Sequence, residues 1–352
     1  MRSSASTAPA TAPRTSPANT PTPGRSGLSV RACVFKPAAL SAGLLCAVAN
    51  PVAAQSLLPI DDSFNVARRF AADRATHPEI RLPQLRTVKG QWMLFDQRYR
   101  QIDDRDLHLD IFLPPAGRSN GLGILLIHGG AWASGNKSHS YPLANLLAQR
   151  GYAVFMPEFR LSPEAGYPAG LIDVNAAILW VKERRVEFGL RPDGLALGGD
   201  SSGGQMAALL AYSAPTGQFA PQAGADTRVR ALIDLDGVLD MTDPLALRYE
   251  DAARSASPFA RWVGGDYATQ TARWRAASAA TYVDAQSPPT LVLGSSHDRF
   301  TAGRVGVQAT LDRHGIRNRF VKLDRAPHTF WLYDPYLARV AAEIDRFLRE
   351  RR

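Results

Sequence analysis

The five residues Gly199-Asp200-Ser201-Ser202-Gly203 constrain this chain more than any other stretch. The apolar run Leu195-Ala196-Leu197 precedes them and reads as a strand. Ser202 to Ser213, with Met206, Ala207, Leu209, Leu210 and Tyr212, follows and reads as a helix. A serine at a sharp strand-to-helix turn is pushed out of the backbone, and glycines flank it because a side chain there would collide with the neighbouring elements. The N-terminus of the following helix favours negative charge beside that hydroxyl. By chance alone a chain of this length and composition holds roughly 0.2 such pentapeptides, so partners elsewhere must supply the rest of the signal.

The first partner is His128-Gly129-Gly130-Ala131-Trp132, directly after the strand-like Leu122–Ile127. Paired glycines after a strand let the backbone pass close to a ligand. The amides of Gly130, Ala131 and Ser202 can then point at a developing oxyanion, while His128 is read as a shaping residue. The second partner is a carboxylate. Asp298 is selected because it follows the strand-like Thr290-Leu291-Val292-Leu293-Gly294, and loops at the carboxyl ends of parallel strands carry the chemistry of an open α/β sheet. An aspartate that merely caps the next helix is the alternative. The third is His328, in Ala326-Pro327-His328-Thr329-Phe330 after the strand-like Arg319–Leu323. Chain order Ser, Asp, His suits an elbow of this kind. His328 would take the proton from Ser201 and return it to the leaving group, with Asp298 holding the imidazole tautomer. Trp132 and Trp331 adjoin these loops and are candidate pocket residues.

With these motifs the chain resembles the α/β-hydrolases of the esterase branch that includes hormone-sensitive-lipase-like carboxylesterases and feruloyl or acetyl-xylan esterase-like proteins. The resemblance spans about residues 88 to 350. It also takes in Phe159-Arg160-Leu161-Ser162-Pro163-Glu164 with Tyr167-Pro168-Ala169 and Asp173, Ser287-Pro288-Pro289 before the acid strand, and Pro327-His328-Thr329-Phe330-Trp331. The glycine loop lacks the third glycine common in the lipase-like members, Gly294-Ser295 replaces a frequent His-Gly, and Phe159 replaces a frequent Tyr. The resemblance implies a serine carboxylester hydrolase that forms an acyl-enzyme, uses no metal or organic cofactor, and acts on small esters with short or aromatic acyl groups. Arylformamidase or amide hydrolase activity is the nearest alternative, followed by a serine peptidase and a noncatalytic protein on the same fold.

The alternation of strand and helix patterns predicts a mostly parallel sheet covered on both faces. Strands are expected at Trp92–Phe95, Leu107–Leu113, Gly123–Ile127, Ala153–Met156, Leu195–Leu197, Ala231–Leu235, Thr290–Leu293 and Arg319–Leu323. Helices are expected near Tyr141–Arg150, Ala169–Phe188, Ser202–Ala211, Ala302–His314 and Tyr336–Arg349. Residues 241–285 show no clean strand period and are read as a candidate cap whose aromatics could line a pocket.

Residues 1–54 differ in kind. They are rich in Ser, Thr, Pro and Ala, and carry Arg2, Arg14, Arg25, Arg31 and Lys36 with no acidic residue. The apolar run Ala38–Ala49 is too short to span a bilayer comfortably, and Val52-Ala53-Ala54 fits a small-residue cleavage site. This reads as a signal peptide ending near Ala54, followed by an N-terminal segment at 55–87 and a catalytic domain at 88–352, with the mature protein periplasmic or extracellular. Both cysteines, Cys33 and Cys46, fall in the leader, so the mature chain would carry no disulfide. Removing the leader's five basic side chains lowers the formal charge from +9 to +4. No basic stripe with interleaved aromatics points to nucleic acid, and no membrane span is expected in the mature chain. The sequence leaves oligomeric state open.

Overall fold

The structure is a computed structural model that describes residues 61–253 and 256–350. The leader and its cleavage site lie outside the described residues. Eight strands form one sheet: β1 (Trp92–Ile102), β2 (Arg105–Leu113), β3 (Gly123–Ile127), β4 (Ala153–Pro157), β5 (Leu195–Asp200), β6 (Leu232–Leu235), β7 (Thr290–Gly294) and β8 (Asn318–Lys322). They run in the order β1-β2-β4-β3-β5-β6-β7-β8. β1 and β2 form an antiparallel hairpin, β2 pairs antiparallel with β4, and the strands from β4 to β8 are mutually parallel. Parallel strands hidden on both faces need apolar residues at every position, and β3, β4 and β7 are buried throughout.

Side chains alternate across the sheet with period two. Leu125 and Ile127 of β3 and Phe155 of β4 enter one core, and Ile124, Leu126 and Val154 enter the other. The nine helices of the described residues are α1 (Val66–Arg74), α2 (Tyr141–Gln149), α3 (Ala169–Glu183), α4 (Ser202–Ser213), α5 (Pro244–Ala253), α6 (Pro258–Val263), α7 (Tyr267–Ala276), α8 (Arg304–Arg313) and α9 (Tyr336–Arg349). Helices α3, α4 and α8 close the first core, and α2 and α9 the second. This is the doubly covered, mostly parallel sheet of an α/β-hydrolase. None of these helices is long and apolar enough to cross a membrane.

Two elements exceed the sequence expectation. β1 runs on past Phe95 to Ile102, through the polar residues Gln97, Arg98, Arg100 and Gln101. It is an edge strand with register shifts after Leu94 and Arg98, so its outer face needs no apolar residues. Helix α1 has no apolar periodicity to betray it. Asn65 caps it by accepting the amides of Ala67 and Arg68. Its far end carries the buried Asp73, which pairs with Arg69 and accepts hydrogen bonds from Thr329 Oγ1 at 2.5 Å and Tyr333 Oη at 3.1 Å. Burial alone would raise the Asp73 carboxyl, but these donors outweigh it and hold the group below its ordinary value. The described residues ahead of β1, α1 among them, belong to the same compact unit as the sheet.

Between β6 and β7 the candidate cap consists of α5, α6 and α7. Trp262 and Phe259 of α6 pack on Trp132, and the carbonyl of Ala277 accepts a hydrogen bond from buried Gln205 of α4 at 2.7 Å.

Candidate active site

β5 ends at Asp200 and α4 begins at Ser202, leaving Ser201 alone in the turn at φ 52° and ψ −121°. Left-handed backbone at a non-glycine residue is strained and is held only by tight surroundings. The flanking glycines supply that tightness. A Cβ on Gly199 would overlap the backbone of Gly203, and one on Gly203 would overlap the carbonyls of Ile127 and His128. The sharp turn and its close approach to β3 therefore exist only because both positions lack side chains.

The glycine loop after β3 lies against this turn. Gly129 donates its amide to Asp200 Oδ1 at 2.8 Å, and Trp132 donates its amide to Ser202 Oγ at 3.2 Å. Between them, the amides of Gly130 and Ala131 are committed to no such bond, and Ala131 is held at φ 53°. The amide of Ser202, first in α4, has no acceptor within its own helix. Among the described residues, these three N–H groups beside the Ser201 turn have no internal acceptor. Burial raises the Asp200 carboxyl to about 7 against the opposing Gly129 hydrogen bond. His128 is buried, stacks on Phe159 and donates from Nδ1 to the Gly129 carbonyl at 2.8 Å. Desolvation lowers it to about 4, so it is a neutral strut for the loop.

His328 comes from the loop after β8. Its Nε2 lies 2.9 Å from Ser201 Oγ and its Nδ1 lies 2.8 Å from Asp236 Oδ2. Phe300 stacks on the imidazole at 3.4 Å and 13°, and Trp331 meets it edge-on at 5.2 Å. Desolvation lowers the imidazole below its ordinary value, opposed by Asp236 and assisted by the positive charges of Arg299 and Arg69.

The carboxylate beside His328 differs from the sequence expectation. Asp298 is 67% exposed in its side chain and forms an ion pair with Lys322 at 2.8 Å, away from His328. Asp236, at the end of β6, is fully buried and faces the histidine. Its second oxygen accepts the amide of Ser295 at 2.9 Å, so the loop after β7 contributes a backbone donor to this carboxylate. The sequence does hold a signal for Asp236: an Asp-Gly pair directly follows the strand-like Ala231–Leu235. Ser201, Asp236 and His328 together can accept a hydroxyl proton, hold the resulting imidazolium and return the proton.

The two tryptophans are not open pocket walls. Trp132 is buried, donates Nε1–H to Gln205 at 3.0 Å and stacks on Trp262 at 4.7 Å. Its backbone sits at φ 59°, and its indole packs against Trp262 and Phe259 of α6. Trp331 is likewise buried, against His328 and Phe330. Among the described residues, no three His, Cys, Asp or Glu side chains gather as a metal site.

Comparison with known proteins agrees with this architecture. The chain is 29% identical over 256 residues to esterase LipQ of Mycobacterium tuberculosis, covering 66% of this chain and 60% of LipQ. It is 34% identical over 154 residues to carboxylesterase NlhH of the same organism, covering 44% and 46%. It thus spans about half the length of these curated relatives. Among solved structures, a truncated carbohydrate esterase from gut microbiota superposes with a TM-score of 0.62 at 21% identity, over 76% of this chain and 98% of that one. Esterase B of Lactobacillus rhamnosis, bearing a tributyrin phosphonate inhibitor, superposes at 0.61 and 22% identity, over 80% and 91%. A family model described as BD-FAE matches residues 109–306, a region that holds Ser201 and Asp236 and stops before His328. The chain belongs to the BD-FAE family and has the α/β-hydrolase fold.

Proposed function

We propose that the protein is an exported serine carboxylester hydrolase acting through an acyl-enzyme on esters with short or aromatic acyl groups. The observation that carries the reading is the unbroken chain from Ser201 Oγ through His328 to Asp236, with hydrogen bonds of 2.9 and 2.8 Å. His328 Nε2 removes the hydroxyl proton as Ser201 Oγ bonds to the ester carbonyl carbon. The negative charge that develops on the carbonyl oxygen is met by the amides of Gly130, Ala131 and Ser202, which are fixed in advance and need no reorganisation. Collapse breaks the bond to the alcohol oxygen, which leaves with the proton from the imidazolium. Water then repeats the sequence on the acyl-enzyme and releases the acid.

The acyl preference is supported by the resemblance of the glycine loop His128–Trp132 to that of feruloyl and acetyl esterase-like proteins. Export is supported by the basic, acid-free leader and its short apolar run.

A fluorophosphonate probe should label Ser201, and Ser201→Ala should lose the label together with roughly 10³- to 10⁶-fold of kcat. Ser202→Ala, whose amide and not hydroxyl acts here, should keep the label. Labelling that survives Ser201→Ala, or palmitate esters outpacing acetate and butyrate esters, would overturn the assignment or its acyl preference respectively. Mass spectrometry of protein from the cell envelope or culture medium should give Gln55 as first residue. Active protein that retains Met1 would refute export.

A further inference from the structure

His328 sits in the loop between β8 and α9, and that loop is tied down on both sides of it. On the near side Ser296, after β7, donates its amide and its hydroxyl to the carbonyl of Ala326 at 3.3 and 3.0 Å. On the far side Thr329, next in the chain to His328, is buried and donates Oγ1 to Asp73 at 2.5 Å, and Tyr333 donates to the same carboxylate oxygen at 3.1 Å. The other Asp73 oxygen accepts Arg69 Nε at 2.9 Å, so both oxygens are occupied. Asp73 is itself fixed from behind. The chain that follows it exchanges backbone hydrogen bonds between Arg81 and Asp334 at 3.0 Å each, and the Phe70 ring packs on Tyr333 at 5.7 Å.

A buried carboxylate costs more desolvation than apolar packing would, so what it contributes to a loop is direction. Charge-assisted hydrogen bonds set both the distance and the rotamer of Thr329, where packing would set only its depth. Thr329 also stands at the start of the short helical turn Phe330–Leu332, which brings Trp331 edge-on to the imidazole. Displacing Thr329 therefore disturbs both His328 and the ring beside it. Proton transfer depends on the 2.9 Å contact from His328 Nε2 to Ser201 Oγ, and an error of about 1 Å in such a contact costs on the order of 10²-fold in rate.

We propose that Asp73 is a positioning residue for His328, acting through Thr329 Oγ1, so that helix α1, ahead of the sheet in the chain, belongs to the machinery of the reaction. The inference rests on the serine-hydrolase reading and adds to it a residue outside the Ser201–His328–Asp236 chain. The charges facing the imidazole are Asp236 from the end of β6, Arg299 from the loop after β7 and Arg69 from α1, the last of these paired with Asp73.

Thr329→Val removes the hydroxyl while keeping the side-chain shape and every charge. With p-nitrophenyl acetate it should lower kcat roughly tenfold and leave KM within about twofold, and Thr329→Ser should keep most of the wild-type rate. Asp73→Asn should lower kcat in the wild type and cost far less when combined with Thr329→Val, because the two act through one contact. Arg69→Gln, at a half-exposed side chain, removes one anchor of the carboxylate. Its kcat should fall severalfold, and the pH midpoint of kcat/KM should rise, since a positive charge that disfavours the imidazolium is gone. A folded Thr329→Val with kcat within about twofold of the wild type, or Thr329→Ser as impaired as Thr329→Val, overturns the proposal. If Thr329→Val does not fold, Arg69→Gln decides: a severalfold lower kcat supports the proposal and an unchanged one overturns it. If the wild type cleaves no ester the hydrolase reading falls, and the NMR signal of the His328 Nδ1 proton shared with Asp236 still tests the positioning. A signal displaced in Thr329→Val and restored in Thr329→Ser supports it, and one that neither substitution moves refutes it.

Discussion

The carboxyl ends of β6 and β7 each carry an aspartate, and the two lie in opposite environments. Asp236 closes β6, is fully buried, and spends both oxygens inside the protein, on His328 Nδ1 and the Ser295 amide. Asp298, four residues beyond β7, is solvated and bound to a surface lysine. Neighbouring parallel strands lie about 4.8 Å apart, so either end is within reach of a histidine loop after β8. Position along the chain cannot separate them, since both follow Ser201 and precede His328. What separates them is that Asp236 leaves its strand at φ 55°, which turns the carboxylate across the top of the sheet, while the loop after β7 runs outward through a short helical turn at Asp298–Thr301. The β7 end still serves the site, but through the backbone of Ser295 and the ring of Phe300.

The sharpest break of this comparison is a pair of carboxamides. Asp236→Asn keeps the oxygen that receives the Ser295 amide, but presents an NH₂ to His328 Nδ1. The imidazole must then carry its proton on Nε2, the wrong tautomer for accepting from Ser201. A loss on the order of 10⁴ in kcat is expected, with far-UV and near-UV circular dichroism unchanged. Asp298→Asn gives up one exposed ion pair, worth roughly 0 to 1 kcal/mol, and should leave kcat within about twofold. Steady-state kinetics of the two variants side by side decide the matter. A large loss in Asp298→Asn beside a small one in Asp236→Asn would return the acid to the β7 loop.

The same contrast explains what the sequence could disclose. The turn at Ser201 is legible because it demands glycines at fixed positions, and β3, β4, β5 and β7 because parallel strands buried on both faces leave continuous apolar runs. The nearness of His328 to Ser201 follows from its place after the last strand. Which carboxylate faces His328 is harder to read, because the Asp-Gly pair after β6 and Asp298 after β7 stand in equivalent places along the chain, and which loop turns inward is not set by residue type. Trp132 differs in a related way: adjacency to the glycine loop suggests a pocket wall, yet its buried indole stacks on Trp262 of α6. Helix α1 was hidden for a third reason. Its place depends on one buried carboxylate, Asp73, and on partners more than 250 residues away, a polar anchor that no local periodicity reports.

A smaller effect sharpens the comparison from the histidine side. Desolvation lowers His328 below its ordinary value of 6.5, and the buried Asp236 opposes that shift without cancelling it. Ester attack needs the neutral imidazole, so kcat/KM for a neutral ester should rise with pH through a midpoint below 6.5 and be flat above it. The sign for stability follows from the same shift. With the folded value depressed below the unfolded one, the unfolded chain binds the proton more readily, so this group's contribution is fully present above pH 6.5 and is lost as pH falls through the folded midpoint. Removing the opposing charge should move the midpoint further down, because burial is then left without its counterweight. In Asp236→Asn the residual activity should therefore titrate at a lower pH than in the wild type, whereas Asp298→Asn, whose carboxylate does not face the imidazole, should reproduce the wild-type profile. Rate profiles between about pH 4 and 8, or histidine NMR titrations over the same range, read the midpoints directly. An upward shift in Asp236→Asn would mean that the buried carboxylate is not the charge the imidazole feels, and a shift in Asp298→Asn comparable to that of Asp236→Asn would mean that the two strand ends are electrostatically equivalent at the histidine.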